Sequence, residues 1–417
     1  MARHVLIVGG GILGLSAAHY ALCRGLEVSL LERGTPQDAG CSFGNSGLIV
    51  PSHFVPLAAP GMVGQALRHL LSPESPFYVK PRLDAGLLDW GWRFWRAADQ
   101  AHVARAGPLL RELMLRSRAC FEEWAAAWPA EFGLVKQGLL MLCRSGQGLE
   151  DEAAVAERAR ALGIPAQVLT PQETAACEPQ LTLRIAGSVY YPLDCHLTPA
   201  RLIDTLRRRV EQAGGRTSWQ TEVNGFRRVG DRIAAVTCSQ GEIAADEFVL
   251  CAGAWSSSLV RGLGLRLPLQ AGKGYSLTLA SPPQLPRASA ILSEAHVAMT
   301  PMDGAVRFGG TMELAGLDTS INPARVRGIL KAVAAYLPEF TPERFRDIPP
   351  WCGLRPVSPD GLPYLGRFAR YPNLWAATGH AMLGVSLGPV SGLLLAQLMA
   401  GEPPAIPIDA LSPDRHG

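Results

Sequence analysis

Residues 8–33 read VGGGILGLSAAHYALCRGLEVSLLER. An apolar run over residues 4–8 leads into this stretch and reads as a buried strand. Residues 12–24 place Leu15, Ala18 and Leu22 on one helical face, and residues 26–32 read as a second strand. Strand, helix, strand in this order is a crossover, which gives parallel pairing. Gly9, Gly11 and Gly14 form the turn. Gly9 permits the tight bend, Gly11 lets the backbone approach a pyrophosphate, and Gly14 lets helix and strand pack closely. Ile12 and Leu13 open the helix, whose free N–H groups and positive dipole end suit phosphates. Glu32 lies 18 residues after Gly14, where a carboxylate accepts hydrogen bonds from ribose hydroxyls, and Arg33 follows it. A glycine loop alone is a weak signal. With strand, helix and terminal acid in register it reads as a dinucleotide site.

Other segments favour FAD over NAD. No second glycine loop is found: Arg261-Gly-Leu-Gly264 lacks the third glycine, and Gly230-Asp231 sits in a predicted hairpin turn. Residues 41–47, CSFGNSG, follow the second strand with small side chains (Ser42, Asn45, Ser46, Gly47) that can lie against a large ring, and Leu48 continues the segment. A late glycine-rich segment, Gly379 to Gly388, opens the last helix through Gly384, Val385 and Ser386. Such a helix start can face the flavin edge where reduction places negative charge.

The chain has 417 residues, more than one hydrophobic core usually serves, so about two domains are expected. Hydrophobic residues make up 48% and charged residues 18%, which excludes a disordered chain. The formal charge is +3 and no basic run follows a phosphate backbone, so no nucleic-acid partner is expected. Nine scattered cysteines without CxxC or zinc-like spacing read as free thiols in a reducing compartment, with no metal site. The N-terminus enters the first strand without a signal-peptide pattern, so a cytoplasmic location is expected. Residues 371–401 carry no Asp, Glu, Lys or Arg, but glycines, Pro389, Asn373 and His380 interrupt them, so a membrane span is not expected.

Between the nucleotide segments, helices are expected at 87–95, 108–128 (with Pro108 in the first turn), 150–162, 199–213 and 323–336, and a strand at 134–143. Residues 220–238 read as a hairpin, 246–251 as a buried strand, and 267–313 as a separate sheet. The cluster Trp90, Trp92, Phe94, Trp95 has helical spacing; it reads as core or subunit interface, or as a peripheral membrane face.

In order along the chain, VGGGILGLSAAHYAL, SFGNSGLIVPSHFVPLAAPG, FVLCAGAWS, KGYSLTL, GLRPVSPDGLPYLG and GHAMLGVSLGPVSG resemble blocks of the FAD-dependent D-amino-acid oxidase and dehydrogenase family, which includes glycine oxidase. The resemblance is nearest to bacterial D-amino-acid and D-hydroxyproline dehydrogenases. It implies an α/β fold: a discontinuous Rossmann-like FAD-binding domain (1–50, 190–265, 350–417) with an inserted α+β substrate domain on an antiparallel sheet (51–189, 266–349). It also implies oxidation of a D-amino acid, favoured as D-proline or cis-4-hydroxy-D-proline. Hydride passes from Cα to flavin N5, and electrons go on to a quinone or an electron-transfer partner. An oxygen-using glycine or sarcosine oxidase, or a flavin subunit inactive without partner chains, are the alternatives. The oligomeric state stays open.

The same resemblance assigns site roles. Arg355, in the GLRP block, pairs with the substrate carboxylate, as a planar guanidinium does through two parallel hydrogen bonds; the competing reading is a structural pair with Asp360. Tyr275 either touches the substrate or flavin or faces a core. His53 selects substrate or is a loop histidine, and His380 lies near the flavin. Val223 holds adenine by its backbone, and Ala252 and Gly253 pass the FAD phosphates. Some relatives bind flavin through a cysteine in the region of Cys352, but the offset differs, so non-covalent FAD is expected.

Overall fold

A computed structural model of the chain describes residues 2–37, 40–64 and 74–417. Two large sheets carry it. The first runs in the order Tyr364–Arg367, Leu374–Thr378, Glu247–Leu250, His4–Val8, Glu27–Leu31, Arg216–Ser218. Its pairs are parallel except the outermost, between Tyr364–Arg367 and Leu374–Thr378. Val5, Leu6, Ile7, Phe248 and Val249 are fully buried, as a sheet covered on both faces requires.

The crossover helix Ile12–Leu22 is buried on nearly every side. It packs against the last helix, Gly384–Ala400, and glycines set the approach. A Cβ at Gly392 would fall 2.4 Å from the backbone of Ser16, and one at Gly388 would fall 2.5 Å from Ile12. The segment Ala381–Ala400 is long and apolar enough to cross a bilayer, but 72% of its apolar window is buried inside the protein. Its apolarity serves this helix–helix contact.

The second sheet is largely antiparallel. Gln270–Leu279, Ala305–Leu314, Val297–Met302 and Ser289–Leu292 form its centre, extended by Leu139–Cys143, Gly187–Tyr191 and Gln167–Leu169. The helix Pro323–Tyr336 covers one face, where Tyr275, Leu277, Phe308, Ile329 and Val333 share a core. The architecture is therefore the α/β type with a parallel nucleotide sheet beside an antiparallel one.

Several local expectations need correction. Strand Trp351–Val357 pairs with Gln270–Leu279, so it belongs to the second sheet and not with the flavin segments assigned from residue 350. The long helix begins at Gln100, because Asp99 accepts the His102 N–H at 2.6 Å and caps it there; Pro108 lies inside the helix. The strand expected from 134 starts at Leu139. In helix Ala85–Ala97, Trp90 is buried, with Phe94 stacked on it, and donates to the Val357 carbonyl at 2.9 Å. Trp92 and Trp95 stack on each other in solvent, 57% and 58% exposed.

Candidate functional site

A long cleft opens over the C-terminal end of the parallel sheet, and the glycine loop forms its floor. Gly9 has φ 110°, and a Cβ there would fall 2.4 Å from the Cys251 carbonyl oxygen. A Cβ at Gly14 would fall 1.9 Å from the Gly9 oxygen, so that position serves packing behind the cleft. Glu32 accepts the Gly10 N–H at 2.6 Å and the Gly34 N–H at 2.7 Å. These bonds fix the carboxylate while leaving lone pairs for ribose hydroxyls. At the helix start, Ser42 Oγ accepts the Ile12 N–H at 3.1 Å, showing that an oxygen acceptor fits there.

Gly9, Gly11, Ile12, Leu13, Glu32, Arg33, Ser42 and Asn45 line the cleft from the N-terminal segments. Val223, Ala252 and Gly253 line it from the middle of the chain, and His380, Gly384 and Val385 from the end. The acid, the glycine cradle and the free helix end together fit an adenine dinucleotide. Thr221, outside the blocks that carry the resemblance, also lines the cleft, as do Trp255, Leu354 and Pro356, which lie within those blocks but carry no assigned role. Trp255 is held under the Arg33 guanidinium, 3.6 Å from its ring centroid.

Ser46, Gly47, Leu48 and Ser386 stand behind the wall and do not line the cleft; they fasten the loop. Gly47 has φ 70°, and a Cβ there would meet the Leu197 carbonyl at 2.2 Å. Ser386 Oγ donates to the Leu48 carbonyl at 2.7 Å and accepts from Val50 N–H. A Cβ at Gly309 would meet Ser46 Oγ at 2.5 Å. The second sheet clamps the same loop: Ser276 Oγ donates to the Gly44 carbonyl, and Arg307 donates to the carbonyls of Asn45 and Phe43. Burial pushes the Arg307 guanidinium down to about 10. Sequence reasoning missed both clamps, since neither lies in a nucleotide motif.

Arg355 sits on the edge strand facing the loop. Its strand partner is Gly272, and Gly274 lies beneath its guanidinium; a Cβ at Gly274 would be 2.1 Å from Nη1. Strand Ala305–Leu314 bulges opposite, between the pairs Lys273–Glu313 and Tyr275–Gly310. The bulge holds Thr311 at φ 73°, and its carbonyl accepts Arg355 Nη1–H at 2.7 Å. No carboxylate lies within ion-pair distance of Arg355 among the described residues. Burial lowers its pKa, and the Cys41 thiol is its ionisable neighbour. Asp360 is committed elsewhere: Arg415 donates to it at 2.7 and 2.9 Å, and His416 lies 3.2 Å away. A partly buried cation with one neutral acceptor among the described residues is an unbalanced charge that an anionic guest would balance.

Tyr275 does not join this group. One residue beyond Gly274, it projects from the opposite strand face into the core of the second sheet. Its hydroxyl donates to Glu313 at 2.8 Å and accepts the Asn322 N–H at 3.3 Å. The assigned contact with substrate or flavin is thus corrected to a core role. His380 lines the cleft, but its Nε2 meets Ser391 Oγ at 2.9 Å and burial pushes its pKa down to about 3, so it stays neutral. His53 lies outside the cleft lining, on the loop beyond it, with Nδ1 at 2.9 Å from Ser52 Oγ. The Cys352 thiol donates to the Thr319 carbonyl at 2.9 Å.

Comparison with known proteins bears on this geometry. The model of the DAO family, described as FAD dependent oxidoreductase, matches residues 4–398. A D-amino acid dehydrogenase of Paramagnetospirillum magneticum is 33% identical over 417 residues, covering 99% of this chain and 98% of that protein. Among solved structures, glycine oxidase from Geobacillus kaustophilus superposes with a TM-score of 0.80 at 24% identity over 100% of both chains. L-proline dehydrogenase from P. horikoshii gives 0.72 at 18% identity, over 99% of this chain and 97% of that one. These two likenesses establish the shared fold.

Proposed function

The chain belongs to the DAO family of FAD dependent oxidoreductases, and on that footing we propose that it dehydrogenates a D-amino acid at Cα. The family match and the D-amino acid dehydrogenase relative support FAD-dependent oxidation of an amino acid or amine; the D-configuration and the substrate are the proposal. The observation that carries it is Arg355, a partly buried guanidinium with no carboxylate partner among the described residues, set beside the flavin loop. Its free N–H groups would grip the substrate carboxylate, and Gly274 gives the guanidinium room to lie against the strand. The full-length likeness to a D-amino acid dehydrogenase supports the stereochemistry. D-proline and cis-4-hydroxy-D-proline are the favoured substrates.

FAD, bound without a covalent link, supplies the two-electron acceptor. The protein's own work is alignment and electrostatics: Arg355 fixes one end of the guest, and the clamped loop shields the other. The electron acceptor is a quinone or an electron-transfer partner, met at the inner face of the cytoplasmic membrane. Supporting this, Leu88, Trp92 and Trp95 recur at helical spacing on one exposed face of helix Ala85–Ala97, with Leu83 exposed just before it. An apolar face of this kind, with Arg96 beside it, suits the interfacial layer of an anionic bilayer.

The test is anaerobic reduction of the flavin in the purified chain by paired D- and L-amino acids. Bleaching by D-proline and not L-proline supports the reading. Rapid reoxidation by air with peroxide release would favour a glycine- or sarcosine-type oxidase, and no bleaching by any amino acid would favour an inert subunit.

A further inference from the structure

The strand that presents Arg355 opens on a large aromatic side chain, Trp351. Gly272, Gly274 and Ser276 pair with Arg355, Gly353 and Trp351, a row of alternate residues that shares one sheet face. That face meets the flavin loop, because Ser276 Oγ donates to the Gly44 carbonyl. Two glycines make room for the indole. A Cβ at Gly44 would fall 2.1 Å from the Trp351 ring, and one at Gly353 would fall 2.2 Å from the outer edge of its six-membered ring. The indole therefore reaches from the flavin loop to the strand surface at Gly353.

Gly353 is the direct antiparallel partner of Gly274. Side-chain positions of such a pair are about 4.5–5.5 Å apart. The Arg355 guanidinium fills the space over Gly274, and the edge of the Trp351 ring fills the space over Gly353. Cation and indole thus lie side by side on a floor of paired glycines. A guest held by its carboxylate on Arg355 has the indole within reach of the atoms next to that carboxylate.

A core role does not account for this side chain. Trp351 is half-buried and joins none of the hydrophobic clusters of the described residues. Its strand neighbours Cys352 and Leu354 each pack with one. The charge around the anchor is also one-sided. Burial raises the pKa of Cys41, the ionisable neighbour of Arg355, and keeps that thiol neutral. Among the described residues no acid stands beside the anchor to receive a cationic side chain.

We infer that Trp351 is a specificity-determining residue: its indole is the wall against which the side chain of the bound amino acid packs, and it selects guests with an uncharged, apolar side chain or ring. The inference rests on the reading of Arg355 as the carboxylate anchor. Apolar C–H groups laid on an indole leave water and gain dispersion contacts. An indole also attracts cations, but the guanidinium beside it repels a cationic side chain. The carboxylate is common to all amino acids, so Arg355 fixes the guest and Trp351 reads the part that differs. A saturated five-membered ring suits this wall, having little rotational freedom to lose on binding.

The test titrates FAD-loaded enzyme with acetate, cyclopentanecarboxylate and 4-aminobutanoate, followed by the flavin difference spectrum. In the parent, cyclopentanecarboxylate should bind at least about tenfold tighter than acetate. Tighter binding of 4-aminobutanoate than of acetate would contradict the selection of uncharged side chains. Trp351→Ala should bind acetate within about threefold of the parent and lose most of the gap between the two carboxylates. Trp351→Phe, which keeps a ring, should retain most of it. Gly353→Ala places a Cβ 2.2 Å from the indole and should narrow the gap with the tryptophan still present, which keeps the test decisive if Trp351→Ala takes up no FAD. A gap that survives in these two variants, or an equal weakening of both carboxylates, overturns the role of Trp351 while leaving the anchor intact. Arg355→Ala that binds acetate as tightly as the parent overturns the anchor itself, and a parent flavin that responds to no carboxylate overturns both.

Discussion

The guanidinium of Arg355 is held at 2.7 Å by the carbonyl of Thr311, a residue in the left-handed region at φ 73°. That carbonyl is available because the strand bulges there and withdraws Thr311 from the regular ladder. Backbone strain of this kind costs about 1–3 kcal/mol and persists where surrounding structure enforces it. Here it aims one neutral acceptor at the cation and leaves its other N–H groups for a guest.

Arg355→Ala should keep its flavin absorbance and lose substrate affinity by at least about tenfold. Arg355→Lys should recover only part of it, because an ammonium cannot form two parallel bonds. Equilibrium titration of the oxidised flavin with a substrate analogue measures both. Unchanged affinity in Arg355→Ala would refute the assigned role.

Gly274→Ala tests the same anchor without touching it. The added Cβ would fall 2.1 Å from Nη1, so the guanidinium must move. We expect KM to rise by about tenfold or more while FAD content stays equal to the parent's. An unaltered KM would mean that the side chain can retreat without losing its guest.

The C-terminal clamp predicts a pH-dependent stability. Burial pushes the Asp360 carboxyl up, but hydrogen bonds and charge from His416 and Arg415 outweigh it and hold it well below the usual range. A carboxyl depressed in the folded state adds stability above its unfolded pKa, about 3.9, and loses it as pH falls through the folded value. Arg415→Ala leaves Asp360 buried with a weaker partner and should cost about 3–5 kcal/mol at pH 7. Its melting temperature should fall by several degrees at pH 7, with the gap narrowing in acid. A gap independent of pH would contradict the charge argument.

The exposed Trp pair predicts selective membrane binding. Sedimentation with anionic vesicles should capture the parent chain and release the Trp92→Ala/Trp95→Ala double variant, with anaerobic reduction by amino acid unchanged. Equal capture of both would remove this helix from the membrane contact.

How far the site can be read from the chain depends on the range of the physics involved. The loop from Gly9 to Glu32 is legible because turn, helix start and acid act over a few tens of residues. Arg355 is legible as a cation without a local acid. The surroundings that give it meaning are not: Gly274 and Thr311 meet it only through the register of three strands. Strand alternation places Gly274 under the cation and turns Tyr275 away, and a one-residue uncertainty in register reverses that assignment. Trp92 and Trp95 share the helical spacing of a core face, and only the tertiary fold leaves them in solvent.

The most direct measurement is a crystal structure of the FAD-loaded enzyme soaked with a non-reactive substrate analogue. The account predicts the analogue's carboxylate on Arg355 through two parallel hydrogen bonds, its Cα toward the flavin ring. A carboxylate anchored on any other side chain, with Arg355 still bonded to Thr311 alone, would contradict it.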